Sequence, residues 1–333
     1  MNSNTTQNEQ VCSPARNTSN EYGLAPIVIF CYNRVDCLKA VITSLLKNSL
    51  AEQSDLIFFF DGPKNDLDAQ KVQAVRQYLN GVSGFRSIEY HSAEKNQGLG
   101  KSIIAGVSDV VSRYGRVIVL EDDIVVAPYF LQWMNDALEL YQNEERVAGI
   151  HAWSPPSLCG PRPETYFIRE VGCLGWATWK RGWDIFEPDG KKLLQQFTSR
   201  KMIREFNIGN TYPYFKLLEN QTKGMVDSWA IRWYASVFLA DKLGLQPGRS
   251  LVSHIGYSSG THFNQTSSMP ADEISAQPPL LTVLPCECND LVLKTVYRKY
   301  NRLTVPQGLL HFVRRVLRKA LTLLSIRYHS EKK

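Results

Sequence analysis

Between residues 26 and 120, four short apolar runs alternate with stretches of helical period, and this alternation constrains the fold more than any other feature. The runs are residues 26–32 (PIVIFCY), 55–60 (DLIFFF), 87–91 and 116–120 (RVIVL). They are too short for helices and, apart from the weaker third run, apolar at successive positions, as strands covered on both faces must be. Between them, residues 35–47 place apolar side chains at 35, 38, 41, 42, 45 and 46, a helical spacing. Residues 67–79 and 100–114 read the same way, and Asp61-Gly62-Pro63 stops the second run. The expectation is an α/β domain with a mostly parallel central sheet and helices on both faces. A further helix is expected from Pro128 to about Gln142, and a strand over 147–153. Residues 154–290 are less regular, and all seven tryptophans fall between 133 and 233.

Parallel sheets bind ligands at the carboxyl ends of their strands. The polar residues at those ends are Asn33-Arg34, Asp61 and Glu121-Asp122-Asp123, so three charged clusters should share one rim. The acidic triplet in VIVLEDDIVVAP (117–128) is the sharpest signal. Adjacent carboxylates repel, and a hard divalent cation bridging to a diphosphate relieves that repulsion. The plainer alternative is a solvated acidic turn. Gly100-Lys101-Ser102 ends like a phosphate-binding loop, but G-x-x-x-x-G-K-[ST] requires glycine where Lys95 stands. Asn96-x-Gly98-x-Gly100 is more simply a turn that opens a helix close to a ligand.

Composition narrows the field. With 44% hydrophobic and 21% charged residues among 333, the chain is an ordinary packed globular protein. No window approaches eighteen apolar residues, so no membrane-spanning helix is expected. Residues 1–20 are polar, lack an apolar core segment and read as a disordered tail without a secretory signal. On that reading the N-x-[ST] triplets at Asn4, Asn17, Asn220 and Asn264 are coincidental. Seven scattered cysteines suggest a reducing, cytoplasmic compartment, and Cys286-Glu-Cys288 lacks the second pair a zinc site needs. Residues 291–330 hold nine Lys and Arg and no acid, which leaves the rest of the chain mildly acidic. A nucleic-acid binder would spread its basic residues over the fold. Within that segment, Leu309, Phe312, Val313, Val316, Leu317, Ala320 and Leu324 share a helical stripe, with Arg314, Arg315, Arg318 and Lys319 largely opposite. Such a basic helix over 306–328 suits an anionic membrane surface, which would make the protein peripheral on the cytoplasmic membrane. A helix docked on the domain is the alternative.

The rim motifs together resemble GT-A-fold glycosyltransferases, and more closely N-acetylglucosaminyltransferase I and its relatives. APIVIFCYNR is similar to that family's first strand, FFFDG to its second, and VIVLEDDIVVAPYF to its acidic strand end. VAGIHAW, GCLGWATWKRGW (172–183), VDSW (226–229) and the stretch 256–262 follow in the family's order, so the resemblance spans about residues 25–265. It implies a domain over 21–290, with a nucleotide-binding half at 25–125 and an acceptor half at 126–290. It also implies roles. Asp123 would bind Mn²⁺ or Mg²⁺, Asp122 the ribose and Glu121 the donor-sugar hydroxyls. Arg34 and Asp61 would hold the base and ribose of a uridine nucleotide. Ser259, Gly260 and His262 would cover the diphosphate, and Asp227 would be the general base. The chain departs from the pattern at Asn33, where the family has an acid, and at Ser228, which replaces the second acid of W-D-D-W.

The chemistry can be argued beside the resemblance. An inverting transfer needs a base opposite the leaving diphosphate. Asp227 stands beside Trp229, Trp233 and Tyr234, where desolvation would raise a carboxyl's basicity; a helix N-cap is the alternative role. Trp176 and Trp229 could cover the apolar face of a sugar, or pack in the core. His254 and His262 could reach the diphosphate or metal, or be hydrogen-bonded loop histidines. The reading is a metal-dependent inverting glycosyltransferase moving a sugar from a UDP-sugar, such as UDP-N-acetylglucosamine, to a glycan or lipid-linked acceptor. The competing reading is a non-catalytic sugar- or nucleotide-binding protein of the same fold.

Overall fold

The computed structural model describes residues 23–256 and 274–304. The first half is the expected alternation: β1 (Ile27–Cys31), α1 (Val35–Leu45), β2 (Asp55–Phe60), α2 (Asp66–Leu79), β3 (Ser87–Ser92), α3 (Leu99–Tyr114) and β4 (Arg116–Glu121). There follow β5 (Ile124–Val126), α4 (Phe130–Leu140), β6 (Val147–His151), β7 (Thr165–Ile168) and β8 (Trp176–Trp179). Four shorter helices come next: α5 (Lys180–Trp183), α6 (Gly190–Gln195), α7 (Arg200–Phe206) and α8 (Tyr214–Thr222). The longer α9 (Trp229–Leu239), β9 (Leu243–Pro247) and β10 (Val252–His254) complete the central part.

One eight-stranded sheet runs β3-β2-β1-β4-β8-β6-β9-β7. The pairs β3–β2, β2–β1, β1–β4 and β6–β9 are parallel, while β8 and β7 run against their neighbours. Six strands therefore share one direction, and their carboxyl ends share one rim. β1 is buried at all five positions because helices cover both faces. One face packs on α1, α2 and α4 through residues such as Leu38, Val41, Val75, Phe130 and Met134. The other packs on α3 and α9 through Ile103, Val107, Trp233 and Val237. Each such aliphatic side chain, once buried, contributes ~1.5–3 kcal/mol of transfer free energy.

The antiparallel β8 is the largest departure from simple alternation. All four of its residues are buried, and it lies between β4 and β6. The expected strand over 147–153 ends at His151, after which Ala152 bonds to Gly175 and Leu251 instead of continuing a ladder. The six cysteines among the described residues are free thiols. Among the described residues no helix is long and apolar enough to cross a membrane.

The stretch after residue 289 is helical, with a π-helical turn at Leu293–Tyr297 between Asp290–Val292 and Arg298–Thr304. Val292, Val296 and Tyr297 pack against Cys159, Tyr166, Ile168 and Ile208. The first part of the basic segment is thus docked on the domain. The tail 1–20, Asn264 and the amphipathic stretch 306–328 lie outside the described residues.

Candidate active site

The acidic triplet is a sharp turn between two strands. β4 ends at Glu121, Asp122 and Asp123 make the turn, and the chain returns as β5. β5 pairs with β10, setting His254 opposite Ile124, and the Ile255 N–H donates to the Asp123 carbonyl at 2.9 Å. The two-stranded ribbon thereby carries His254 to the Asp123 side chain, with Nε2 at 3.1 Å from Oδ2. Arg34, at the start of α1, reaches across from β1. Its guanidinium donates to Asp123 Oδ2 at 2.5 Å and also to Asp122 Oδ1. Asp122 Oδ2 accepts the Tyr32 N–H at 3.2 Å.

Electrostatics follow from this packing. Burial pushes the Glu121 carboxyl up to about 8, and the charges of Asp123 and Asp122 push the same way. Burial, with the Asp123 charge, takes Asp122 to about 6 against the pull of Arg34. Burial acts on Asp123 in the same sense, but His254 and Arg34 outweigh it and hold that carboxyl below its usual range. Burial also works against the charge of Arg34, and the two aspartates more than restore it. The rim is therefore an anionic recess that already binds one cationic group.

Gly256 closes over the recess. A Cβ there would stand 2.3 Å from Asp123 Oδ2 and 3.0 Å from Arg34 Nη1, so no larger residue fits without displacing a carboxylate. The expected diphosphate-covering stretch thus begins directly above Asp123. Ser259, Gly260 and His262 lie outside the described residues.

Asp61 has a different set of partners from a freely exposed nucleotide contact. It is buried, and its two oxygens accept the N–H groups of Gly62, Gln97 and Gly98 at 2.9, 2.8 and 2.8 Å. It pins the turn that opens α3, where Gly98 has φ +85°, a conformation that favours glycine. Asn33 donates to Asp68 at 3.0 Å, and the Tyr32 hydroxyl donates to the same carboxylate at 2.8 Å. An acid at position 33 would face Asp68 and repel it. Asp68 escaped the sequence reading because it lies inside α2, away from any strand end.

Asp227 stands against the first turn of α3. A Cβ on Gly100 would lie 2.8 Å from its Oδ1, and one on Gly98 would lie 3.7 Å from its Oδ2. Its side chain is 65% exposed and lies 3.9 Å from Arg232. The expected desolvation by neighbouring aromatics is absent, because Trp229, Trp233 and Tyr234 turn into the core while Asp227 turns out. The helix cap falls to Ser228, whose hydroxyl accepts the Ile231 N–H.

Trp176 and Trp229 are core residues. Trp176 is 1% exposed and sits among Trp183, Trp229 and Trp233, with ring centroids 5.4–6.0 Å away. Their burial on the α9 side of the sheet corrects the expectation that they cover a sugar. His254, Gly256 and Arg232 are the additional groups at the rim. His254 carried a sequence signal as a histidine following the sheet and Gly256 as the start of the stretch 256–262, whereas Arg232 carried none.

Sheet order and carboxylate rim define an α/β domain of the GT-A, nucleotide-diphospho-sugar transferase type. Residues 27–151, the half that supplies Arg34 and the acidic turn, match the model for Glycosyl transferase family 2. No curated protein matches the chain. Among solved structures the chain is similar to GalNAc-T7 bound to UDP, GalNAc and Mn²⁺, at 11% identity and a TM-score of 0.39 over 69% of this chain and 43% of that one. It is also similar to the mannosyltransferase PcManGT from Pyrobaculum calidifontis, at 10% identity and a TM-score of 0.35 over 66% and 77% of the two chains. TarS from S. aureus aligns at 17% identity and a TM-score of 0.31 over 46% of this chain and 28% of its own length. The chain therefore spans less than half of TarS and of GalNAc-T7.

Proposed function

We propose that this protein is an inverting, metal-dependent glycosyltransferase that takes a UDP-sugar as donor. The observation that carries the reading is the paired carboxylate of Asp122 and Asp123, held by Arg34 and His254 at the carboxyl end of a parallel sheet. The family match over the stretch that holds Arg34, Asp122 and Asp123 supports it. Asp123 and His254 also fit a divalent cation. They offer one carboxylate and one imidazole nitrogen on a shielded wall, side chains 5% and 12% exposed. Among the described residues no cluster of three or more metal-ligating side chains exists. Mg²⁺ at a nucleotide is usually held by one or two carboxylates plus phosphate oxygens and water, so Asp123 would be the main protein ligand. Bound there, the cation would neutralise charge on the diphosphate as it leaves.

The remaining roles belong to the chain's own side chains. Arg34 offers a guanidinium that can turn from the aspartates to the nucleotide's anionic oxygens. Glu121, kept protonated near neutrality, can donate a hydrogen bond to a donor-sugar hydroxyl as well as accept one. Asp227, exposed on the rim at the start of α3, takes the proton from the acceptor hydroxyl. A uridine nucleotide and a donor such as UDP-N-acetylglucosamine are the preferred donor chemistry, and a glycan or lipid-linked hydroxyl the preferred acceptor.

The test is a UDP titration with and without Mn²⁺, followed by hydrolysis of a UDP-sugar panel. Asp123→Ala should abolish turnover and weaken UDP binding mainly when Mn²⁺ is present. Full activity in chelator, or normal kinetics in the variant, would sink the metal role. UDP binding without turnover of any donor would favour the non-catalytic binding protein.

A further inference from the structure

Among the described residues of the proposed machinery, Asp227 is the one most exposed. Its side chain is 65% exposed, yet a general base must keep its carboxylate in a narrow range of positions. Three features converge on it. Arg232, in the first turn of α9, is itself immobilised: Nη1 donates to the Pro188 carbonyl at 3.0 Å and Nε to the Ser228 carbonyl at 3.3 Å. Its side chain is only 11% exposed, and Nη2 points to Asp227 Oδ1 from 3.9 Å. Opposite, Gly100 leaves the room the carboxylate occupies, since a Cβ there would stand 2.8 Å from Oδ1 and 3.4 Å from Arg232 Nη2. Beneath, Asp61 fixes the Gln97 and Gly98 amides and so sets where α3 begins.

We propose that Arg232 is a positioning residue for Asp227, seating its carboxylate in the space left by Gly100 at the first turn of α3. The inference rests on the reading of Asp227 as the base. A guanidinium tied to two backbone carbonyls is a fixed point charge, and a mobile carboxylate settles against it. The arrangement makes α3, α9 and the Pro188 turn hold Asp227 together, so the base is placed by helix packing and not by its own short loop. The same geometry gives Asp61 a share in the work, because a shift of the α3 opening would move Gly100 relative to α9.

The experiment uses the full chain and whichever of UDP-N-acetylglucosamine, UDP-N-acetylgalactosamine, UDP-glucose or UDP-galactose the wild type hydrolyses fastest. Arg232→Met should lower kcat about 10–100-fold, the scale of a misplaced catalytic group, with KM and UDP affinity within about threefold. Arg232→Lys should recover kcat to within about fivefold of wild type, since a cation remains although the fork is lost. Gly100→Ala should imitate Arg232→Met, as its Cβ takes the carboxylate's place. The decisive comparison is Asp227→Asn with and without Arg232→Met. Once the base is gone its positioner has nothing left to position, so the double variant should be no slower than Asp227→Asn alone. Additive losses, a loss expressed in KM or UDP binding, or failure of lysine to rescue would overturn the positioning role. If Arg232→Met does not fold, Gly100→Ala carries the same comparison. Normal turnover by Asp227→Asn, or no donor turned over by wild type, would instead overturn the reading of Asp227 as base. An inactive Asp227→Asn beside a fully active Arg232→Met would leave that reading intact and sink the inference alone.

Discussion

Asn33 shows how one residue can settle a local charge balance. The resembled family has an acid at this position, and here the amide donates to Asp68 while the Tyr32 hydroxyl donates to the same carboxylate. These donors hold the Asp68 carboxyl below its usual range, the Tyr32 hydrogen bond contributing most among the lowering effects. Asn33→Asp replaces a donor by a second carboxylate. The variant should melt lower than wild type at pH 7, and the deficit should shrink as acid protonates one of the pair. Thermal melts at pH 7 and pH 4 measure this; an unchanged melting temperature at pH 7 would mean the contact contributes nothing. His254 makes the complementary point. Its position beside Asp123 depends on a three-residue strand whose pairing to β5 no local periodicity announces. Trp176 resisted the sequence reading for another reason: an aromatic side chain in a glycine-rich segment has the same signature whether it faces a sugar or a core.

At the scale of elements, β1, β2 and β4 were legible because both their faces are covered and each run stops at polar residues on the rim. β8 was not, because an antiparallel strand of four residues within a Trp- and Gly-rich stretch has no alternation to reveal it. The helix positions were legible, but not how closely they approach the sheet. Helix α3 lies against β1 at Gly106, where a Cβ would stand 2.8 Å from two atoms of the Phe30 ring and 3.1 Å from Phe59. Phe30 is buried and stacked on Phe59 at 5.3 Å, so neither ring can readily yield. Alanine ordinarily improves a helix interior by ~1 kcal/mol over glycine, whereas overpacking a tight contact costs about 1–3 kcal/mol. Gly106→Ala should therefore be destabilised by roughly 0–2 kcal/mol in denaturant unfolding. A stabilised variant would show that α3 can lift from the sheet, and would weaken the case that this packing places the Gly100 turn.

For the whole molecule, one buried and one partly buried titratable group, His151 and Glu170, act in opposite senses on stability. Burial lowers His151 from 6.5 to about 3, so stability is lost as the pH falls below the ordinary histidine range toward that value. Burial raises Glu170 from 4.5 to about 7. In the window between those values the folded state holds a proton that the unfolded chain has released, so stability falls as pH rises through it. Glu170→Gln removes that slope. At pH 8 it should be more stable than wild type by roughly 1–3 kcal/mol, and the difference should close near pH 4. Equal stability at both pH values would mean that Glu170 finds compensating partners when it ionises.

The folded body and the basic segment meet at the helical stretch 290–304, and that junction decides where the chain can be cut. Val292, Val296 and Tyr297 are part of a small core with Tyr166 and Ile168, so removing them would expose apolar surface and unseat β7. The Asn301 side chain reaches Thr211 at 3.1 Å. Truncation after Thr304 removes none of these contacts, nor any described residue of the rim. The shortened chain should fold, keep its melting temperature within a few degrees and bind UDP as the full chain does. It should lose whatever attachment the full chain has to anionic vesicles, since residues 305–333 carry Arg314, Arg315, Arg318, Lys319 and Arg327. Each such charge near an anionic surface is worth about 1 kcal/mol, and salt screens it within about 10 Å at 0.1 M. Flotation of both chains with phosphatidylserine vesicles at low and high salt separates the cases. Salt-sensitive flotation of the full chain alone would support a lipid-linked acceptor. Equal flotation of both would move the membrane contact off residues 305–333, and flotation of neither would leave a free glycan hydroxyl as the acceptor class.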